Sequence, residues 1–486
     1  MTKEYGVDLC MKMDAIKRFF GSQDMTVGNP MVELVKFSIP LLIGNFAQQL
    51  YNTVDSIVVG KYVGDGALAA VGASFPVMNL LLVLLMGIST GATIMVSQYF
   101  GAKDRQNLSR TIGTCLVLTF LAGIFMMIAG YFGSGPMMDL LNTPMDIRDM
   151  SVQYLQIIFI GIMGGAFFNI ISGILRGMGD SVYPLFFLLV ASILNIFLDL
   201  LFVTQFQMGV AGVAWATIIS QFISAILCYM RLSSMKSVLD LNRDTLRLDR
   251  KLAAKLGRLG MPAGITQVIF SLSSIVVQSL TNSLGTQVIA ASIVVMRVDG
   301  FAMMPNFTFG MAATTFVGQN IGARKMDRVH QGTRDALKIG FGTSILLTLC
   351  LLLFGSNLMH MFTDTESLVA LGVRGLRILA AGYIVFAGTQ ILMGVMRGAG
   401  DTAKPMWISI FNTVVLRIPI AYIWAWLTRS EQYPNGSPDC LFASLVITWV
   451  IGFIITAIVY RKGSWKKKAI VEADEEPVLS ENLANI

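Results

Sequence analysis

The stretch RGMGDSVYP at Arg176–Pro184 returns about 221 residues later as RGAGDTAKP at Arg397–Pro405. The same displacement carries Gly101-Ala102 onto Gly322-Ala323, Gly64 onto Gly285 and Ala69-Ala70 onto Ala290-Ala291, while Pro40 meets Pro262 within one residue. One short match can arise by chance, but a collinear set of matches is the mark of an internal duplication. The chain therefore reads as two homologous halves joined by the charged connector SSMKSVLDLNRDTLRLDRK.

Each half is built for lipid. Of 486 residues, 55% are hydrophobic and only 13% charged, and the mean hydropathy is +0.68, a balance foreign to soluble domains. Apolar windows of bilayer-crossing length recur about twelve times, six to a half. Six is even, so both halves enter the membrane from the same side and form parallel repeats about an axis along the membrane normal. Secondary transporters are commonly built this way, with the substrate cavity between the halves. The expected fold class is an all-α polytopic membrane protein: leader 1–33, first half 34–232, connector 233–254, second half 255–461 and tail 462–486.

Basic residues follow the loops. Lys3, Lys12, Lys17 and Arg18 lie in the leader, Lys103, Arg105 and Arg110 after span 2, and Arg324, Lys325 and Arg328 after span 8. The connector and the tail, with Arg461, Lys462 and Lys466–Lys468, continue the series, whereas the intervening loops hold little beyond Lys61, Arg148 and Arg429. By the positive-inside rule both termini are cytoplasmic. Topology explains the net charge of +7 without nucleic acid. The first apolar segment lacks a small-residue cleavage pattern and reads as a retained span. The five cysteines show neither disulfide nor metal spacing. His330 and His360 sit in or beside loops, which leaves no histidine relay or catalytic metal site in the membrane, and no enzyme is expected.

The acids that remain in the membrane carry the functional reading. All eight glutamates fall in termini or loops, and only Asp55, Asp199 and Asp299 lie well inside spans. A buried acid costs several kcal/mol unless paired, hydrated or protonated, so each is a candidate site. In span 1, Asn45, Gln48, Asn52 and Asp55 step by three, four and three, which makes one polar stripe on a helix. In span 5, Asn195 and Asp199 share a face, with Ser192 a turn before them. At about 1.5 Å per residue, Asp55 and Asp199 both fall roughly 7–12 Å beyond mid-membrane on outward-running helices. Such a pair can take up a proton from outside or, with Asn195, coordinate a dehydrated monovalent cation. Alternatively these residues join helices through hydrogen bonds. In the second half, Arg297 and Asp299 of span 8 and Arg417 of span 11 can form an internal ion pair or take part in transport. Gln267, Ser271, Ser274 and Gln278 of span 7 and Thr389-Gln390 of span 10 can line the cavity or join helices. Among the thirty methionines, Met163, Met303, Met304, Met393 and Met396 are placed where flexible thioethers would repack around varied ligands.

Taken together, Pro40, the segment QQLYNTVDSIVVGKYVG, the FGA and IGA turns after spans 2 and 8, and the paired RGMGD and RGAGD loops resemble the multidrug and toxic compound extrusion family, and within it the DNA-damage-inducible-like bacterial branch. The resemblance covers all but leader and tail. It implies a multidrug antiporter of the bacterial cytoplasmic (inner) membrane, exchanging amphipathic, often cationic and aromatic compounds for a coupling ion. It further implies a first-half cation site of Asp55, Asn195 and Asp199, with Thr217, Gln48 and Asn169 completing the polar network. Span 7 lacks an acid, and Ala387 stands where the sodium-coupled branch places a carboxylate before the residue matching Gln390. Protons are therefore expected over sodium, with no other cofactor and with a monomer sufficient. Rival readings are a sodium-coupled antiporter, a lipid-linked saccharide flippase of the same superfamily using Arg297 and Arg417, and a channel, which the twofold architecture disfavours.

Overall fold

The computed structural model describes residues 23–431 and 433–471. The side chains of Asn52, 79–82 and 84 also lie outside the described residues, as do the leader cations Lys3 to Arg18. Among the described residues every regular element is helical, in the order α1 (Pro30–Val58), α2 (Asp65–Gly101), α3 (Arg105–Leu140), α4 (Met145–Ile160), α5 (Ile162–Gly177), α6 (Val182–Leu200) and α7 (Gly209–Ser234), then α8 (Arg250–Ser283), α9 (Thr286–Gly322), α10 (Met326–His360), α11 (Glu366–Ala380), α12 (Tyr383–Gly398), α13 (Ala403–Ile410), α14 (Ile418–Leu427) and α15 (Asp439–Arg461). Among the described residues nine of the helical stretches are long and apolar enough to cross a bilayer, and eleven if each of two bent pairs counts as one span.

Helix starts are set locally. Asn29 accepts from the Met31 N–H at 3.0 Å with Pro30 at the first position, and Asp104 and Asp249 cap α3 and α8 in the same way at 3.0 and 2.8 Å. Each side-chain oxygen satisfies an amide that the helix cannot.

The bent pairs are α4/α5, turned by 51°, and α11/α12, turned by 48°. Both bends occur at a glycine under a large neighbour. A Cβ on Gly161 would stand 2.2 Å from the Ile218 side chain, and one on Gly382 would stand 2.4 Å from the Trp449 ring. Gly382 is Gly161 displaced by the repeat interval. The bonds recur at that interval too: Thr93 Oγ1 donates to the Gly173 carbonyl at 3.0 Å and Thr314 Oγ1 to the Gly394 carbonyl at 3.1 Å.

Three stretches wind as π-helix: Val59–Val63 closing α1, Leu201–Gln205 closing α6, and Phe411–Arg417 between α13 and α14. Wide turns of this kind gather at functional sites, and here they follow Asp55 and Asp199 and contain Arg417. The connector is not loose. Asp240 pairs with Arg105 at 2.6 Å, and its N–H donates to Ser109 Oγ at 2.9 Å.

Candidate transport site

The first-half acids meet. Asn195 and Asp199 are fully buried, Asp55 is half-buried, and the two acids lie within reach of each other's charge. Two carboxylates so placed repel, and a proton on either relieves that repulsion. With its amide oriented to satisfy both ends, Asn195 donates from its nitrogen to Asp199 Oδ2 at 3.0 Å and accepts from the Thr217 N–H at 3.2 Å. Tyr51 and Tyr154 both lie in the field of the two acids. The remaining oxygens, Asp55 Oδ1 and Asp199 Oδ1, are buried without a hydrogen-bond partner.

The polar stripe of α1 divides. Asn45 donates to Thr308 Oγ1 of α9 at 3.0 Å and so reaches across to the second half, away from the acid pocket. Asn169 donates to the Gly165 carbonyl of its own helix at 2.8 Å. Gln48 is half-buried on α1.

In the second half no ion pair joins Arg297 or Arg417 to Asp299 among the described residues. Arg297 and Asp299 are two residues apart on α9, which places them on opposite faces of the helix. Arg297 is exposed, while Asp299 Oδ1 accepts from the Tyr383 hydroxyl at 2.7 Å. Arg417 is near enough to Asp299 to feel its charge, yet the Nε of Arg417 is buried without a partner.

Arg417 faces instead a cavity of about 520 Å3 that also takes in Gln267, Gln390, Thr389 and Met393. Its walls combine Phe270, Phe307, Phe386 and Trp449 with Ser89, Thr93 and Thr314, and its lower reaches include Arg176 and Arg397. Of the methionines singled out from sequence only Met393 lines it; Met86, Met311 and Met406 supply the other thioethers. Ser271 and Ser274 bond carbonyls of their own helix, at 3.1 and 2.9 Å.

Below the cavity the two halves lock together at the end bearing the basic turns. Gln98 and Gln319 are completely buried. Gln98 Nε2 donates to the Gly398 carbonyl at 2.8 Å and Gln319 Nε2 to the Gly177 carbonyl at 3.0 Å. The free oxygens of these amides are taken by the Ile470 N–H at 2.7 Å and the Met25 N–H at 2.9 Å. Backbones touch here: a Cβ on Gly101 would lie 1.9 Å from the Gln319 carbonyl oxygen, and one on Gly322 would lie 1.9 Å from that of Gln98.

A family profile described as MatE matches this chain twice, over residues 40–201 and 262–423. The chain belongs to the MatE family. It is 30% identical over 443 residues to the probable multidrug resistance protein YoeA of Bacillus subtilis, covering 89% of this chain and 94% of that one. With the probable multidrug resistance protein NorM of Thermotoga maritima it shares 24% identity over 449 residues, 90% of this chain and 94% of the other. The fold is that of a MOP superfamily transporter from Pyrococcus furiosus, with a TM-score of 0.84 at 24% identity over 92% of this chain and 99% of that one. An outward-facing multidrug resistance MATE family transporter superposes with a TM-score of 0.83, again at 24% identity and over 92% and 99% of the two chains. As a MatE protein the chain is a transporter and not an enzyme, and a multi-pass protein of the bacterial cytoplasmic (inner) membrane. Among the described residues no group of three or more His, Cys, Asp or Glu side chains is placed to hold a metal ion.

Several site residues escaped the sequence reading. Tyr51 stands four residues before Asp55, one helical turn away, and that spacing was a usable signal. Tyr383 reaches Asp299 from another span, and nothing local marks it. Arg176 and Arg397 open the repeated motif, where they served as markers of duplication and not as lining.

Proposed function

We propose that this protein is a proton-coupled exporter of amphipathic organic compounds, working by alternating access between two halves of six spans each. The halves are 34–232 and 255–461, with both termini in the cytoplasm, and one chain is a complete machine. The observation that carries this reading is the pairing of Asp55 with Asp199, each with a buried oxygen that no hydrogen bond claims, beyond the Gln98/Gln319 closure between the halves. In this arrangement the cavity lies on the outer side of the lock, the stage at which substrate leaves and a proton enters.

Protonation removes the repulsion between Asp55 and Asp199 and lets the helices carrying them, α1 and α6, draw together. Proton and substrate then favour different members of one two-state equilibrium, which is the general requirement for exchange. The chemistry fits the DNA-damage-inducible-like branch.

The test uses purified protein in liposomes with an imposed pH or sodium gradient and a fluorescent amphipathic dye, comparing wild type with Asp199→Asn and Asp55→Asn. Uptake that follows the pH gradient and disappears in both variants is expected. Uptake that survives in Asp199→Asn, or that follows sodium alone, overturns the assignment.

A further inference from the structure

Several arginines outside the cavity are held by acids: Arg231 by Asp180 at 3.0 Å, Arg148 by Asp139 at 2.6 Å and Arg105 by Asp240 at 2.6 Å. Those of the cavity are not. Arg176, Arg397 and Arg417 all line it, and no aspartate or glutamate does. Arg176 and Arg397 are half-buried and make no side-chain hydrogen bond or ion pair among the described residues. Arg417 keeps its Nε buried and unpartnered.

Guanidinium groups withdrawn from bulk water lose several kcal/mol of solvation each, which only water or an anion returns. Their planar fork matches a carboxylate, sulfonate or phosphate through two parallel hydrogen bonds. Facing them is an aromatic wall, in which the rings of Phe307 and Phe386 lie 5.5 Å apart and those of Phe386 and Trp449 lie 5.1 Å apart. A cation in this space would meet positive charge without a counter-ion among the lining residues.

We propose that the cavity is a site for aromatic amphiphiles bearing an anionic head group, with Arg176 and Arg397 as its head-group ligands and Arg417 as a third cation above them. This rests on the transport reading and narrows its substrate class. Arg176 and Arg397 adjoin Gly177 and Gly398, whose carbonyls hold Gln319 and Gln98. The head-group ligands therefore stand directly against the cytoplasmic lock. When it opens, they are the first cavity charges an anion arriving from the cytoplasm encounters.

The full chain in nonionic detergent is titrated calorimetrically with naphthalene-2-sulfonate and with 2-naphthyltrimethylammonium, which share a ring system and differ in charge. Wild type should bind the sulfonate tighter by about tenfold or more, the worth of charge-assisted hydrogen bonds. Arg176→Gln and Arg397→Gln should each remove most of that preference, and Arg397→Lys should keep part of it. Equal affinity for the two probes, or tighter ammonium binding, overturns the proposal without recourse to any variant. So does sulfonate binding that persists in the folded double Gln variant. Inorganic sulfate displacing the probe at equal affinity would mean a site for free anions, and phosphatidylglycerol displacing it at far lower concentration would mean a lipid site; either overturns the cargo assignment. Because no gradient is applied, the result is independent of coupling. A protein that ignores the sulfonate yet takes up the ammonium on a pH gradient would sink this inference and leave the transport reading standing.

Discussion

Replacing Gly101 or Gly322 by alanine should turn the transporter toward the cytoplasm-open state. The added methyl would lie 1.9 Å from a backbone carbonyl oxygen of the facing helix in either case, Gln319 for Gly101 and Gln98 for Gly322. Non-bonded heavy atoms rest about 3.5 Å apart, so α2 and α9 must separate by more than about 1 Å, and no side-chain rotation relieves a clash with backbone. Overpacking of this kind costs about 1–3 kcal/mol, and only the locked state bears it. The equilibrium should therefore shift by roughly five- to 150-fold per substitution, with less than additive effect for the pair because both act on one crossing. The assay places a single cysteine at Met311, which lines the cavity, in a background whose native cysteines are replaced by serine. An impermeant maleimide is then applied to right-side-out and inside-out vesicles. The parent should label from outside; Gly101→Ala should lose that labelling and gain it from inside, at a nearly unchanged melting temperature. Unchanged sidedness in a folded variant would refute the reasoning.

Thr217→Val removes the hydroxyl beside the Asn195 amide but keeps the N–H that Asn195 uses. Proton-driven uptake should fall several-fold, by about 0.5–1.5 kcal/mol, and undiminished uptake would show that the acid pocket needs no hydroxyl there. Tyr383→Phe leaves Asp299 without its donor at 2.7 Å, and thermal unfolding should register a loss of about 1–3 kcal/mol; a stability equal to wild type counts against the bond. Asp180→Ala breaks a pair with Arg231 at 3.0 Å, in which the acid is fully buried and the arginine side chain 21% exposed. It also removes the acceptor for the Tyr183 N–H. A drop of about 2–3 kcal/mol is expected, below the range for wholly buried pairs because water reaches Arg231, and a change under about 0.5 kcal/mol would place the pair at the surface in energetic terms.

How much of this was legible in the chain depends on whether the signal is local. Asp55 and Asp199 announced themselves because an acid in an apolar run has few structural uses, and Asn195 followed from one helical turn of spacing. Asn45 sat on the same stripe as Asp55, yet a stripe records direction around one helix and not which neighbour stands there. α9 is close enough for Thr308 to claim the amide. Arg297 and Asp299 were grouped because they share a span, but two residues of separation turns them apart, and the true partner of Asp299 arrives from Tyr383, 84 residues away. The bends at Gly161 and Gly382 interrupt runs that read as continuous in hydropathy, and the close approach of Ile218 and Trp449, which leaves those glycines no room for a side chain, comes from other helices. The repeat was visible in its motif, whereas the lock it builds depends on Gln98 and Gln319, whose meaning lies in carbonyls of the opposite half.

That lock also has an order of manufacture. Gln98 emerges from the ribosome with both its partners still unmade, since Gly398 follows 300 residues later and Ile470 follows 372 residues later. Gln319 finds Gly177 and Met25 already waiting, 142 and 294 residues behind it. One side of the permeability barrier can thus close during synthesis while the other stays ajar until the last span has been threaded and the tail has folded back. A ribosome that stalls after Gln319 but short of Gly398 leaves a chain with half a bolt: Gln319 can be seated while Gln98 still waits.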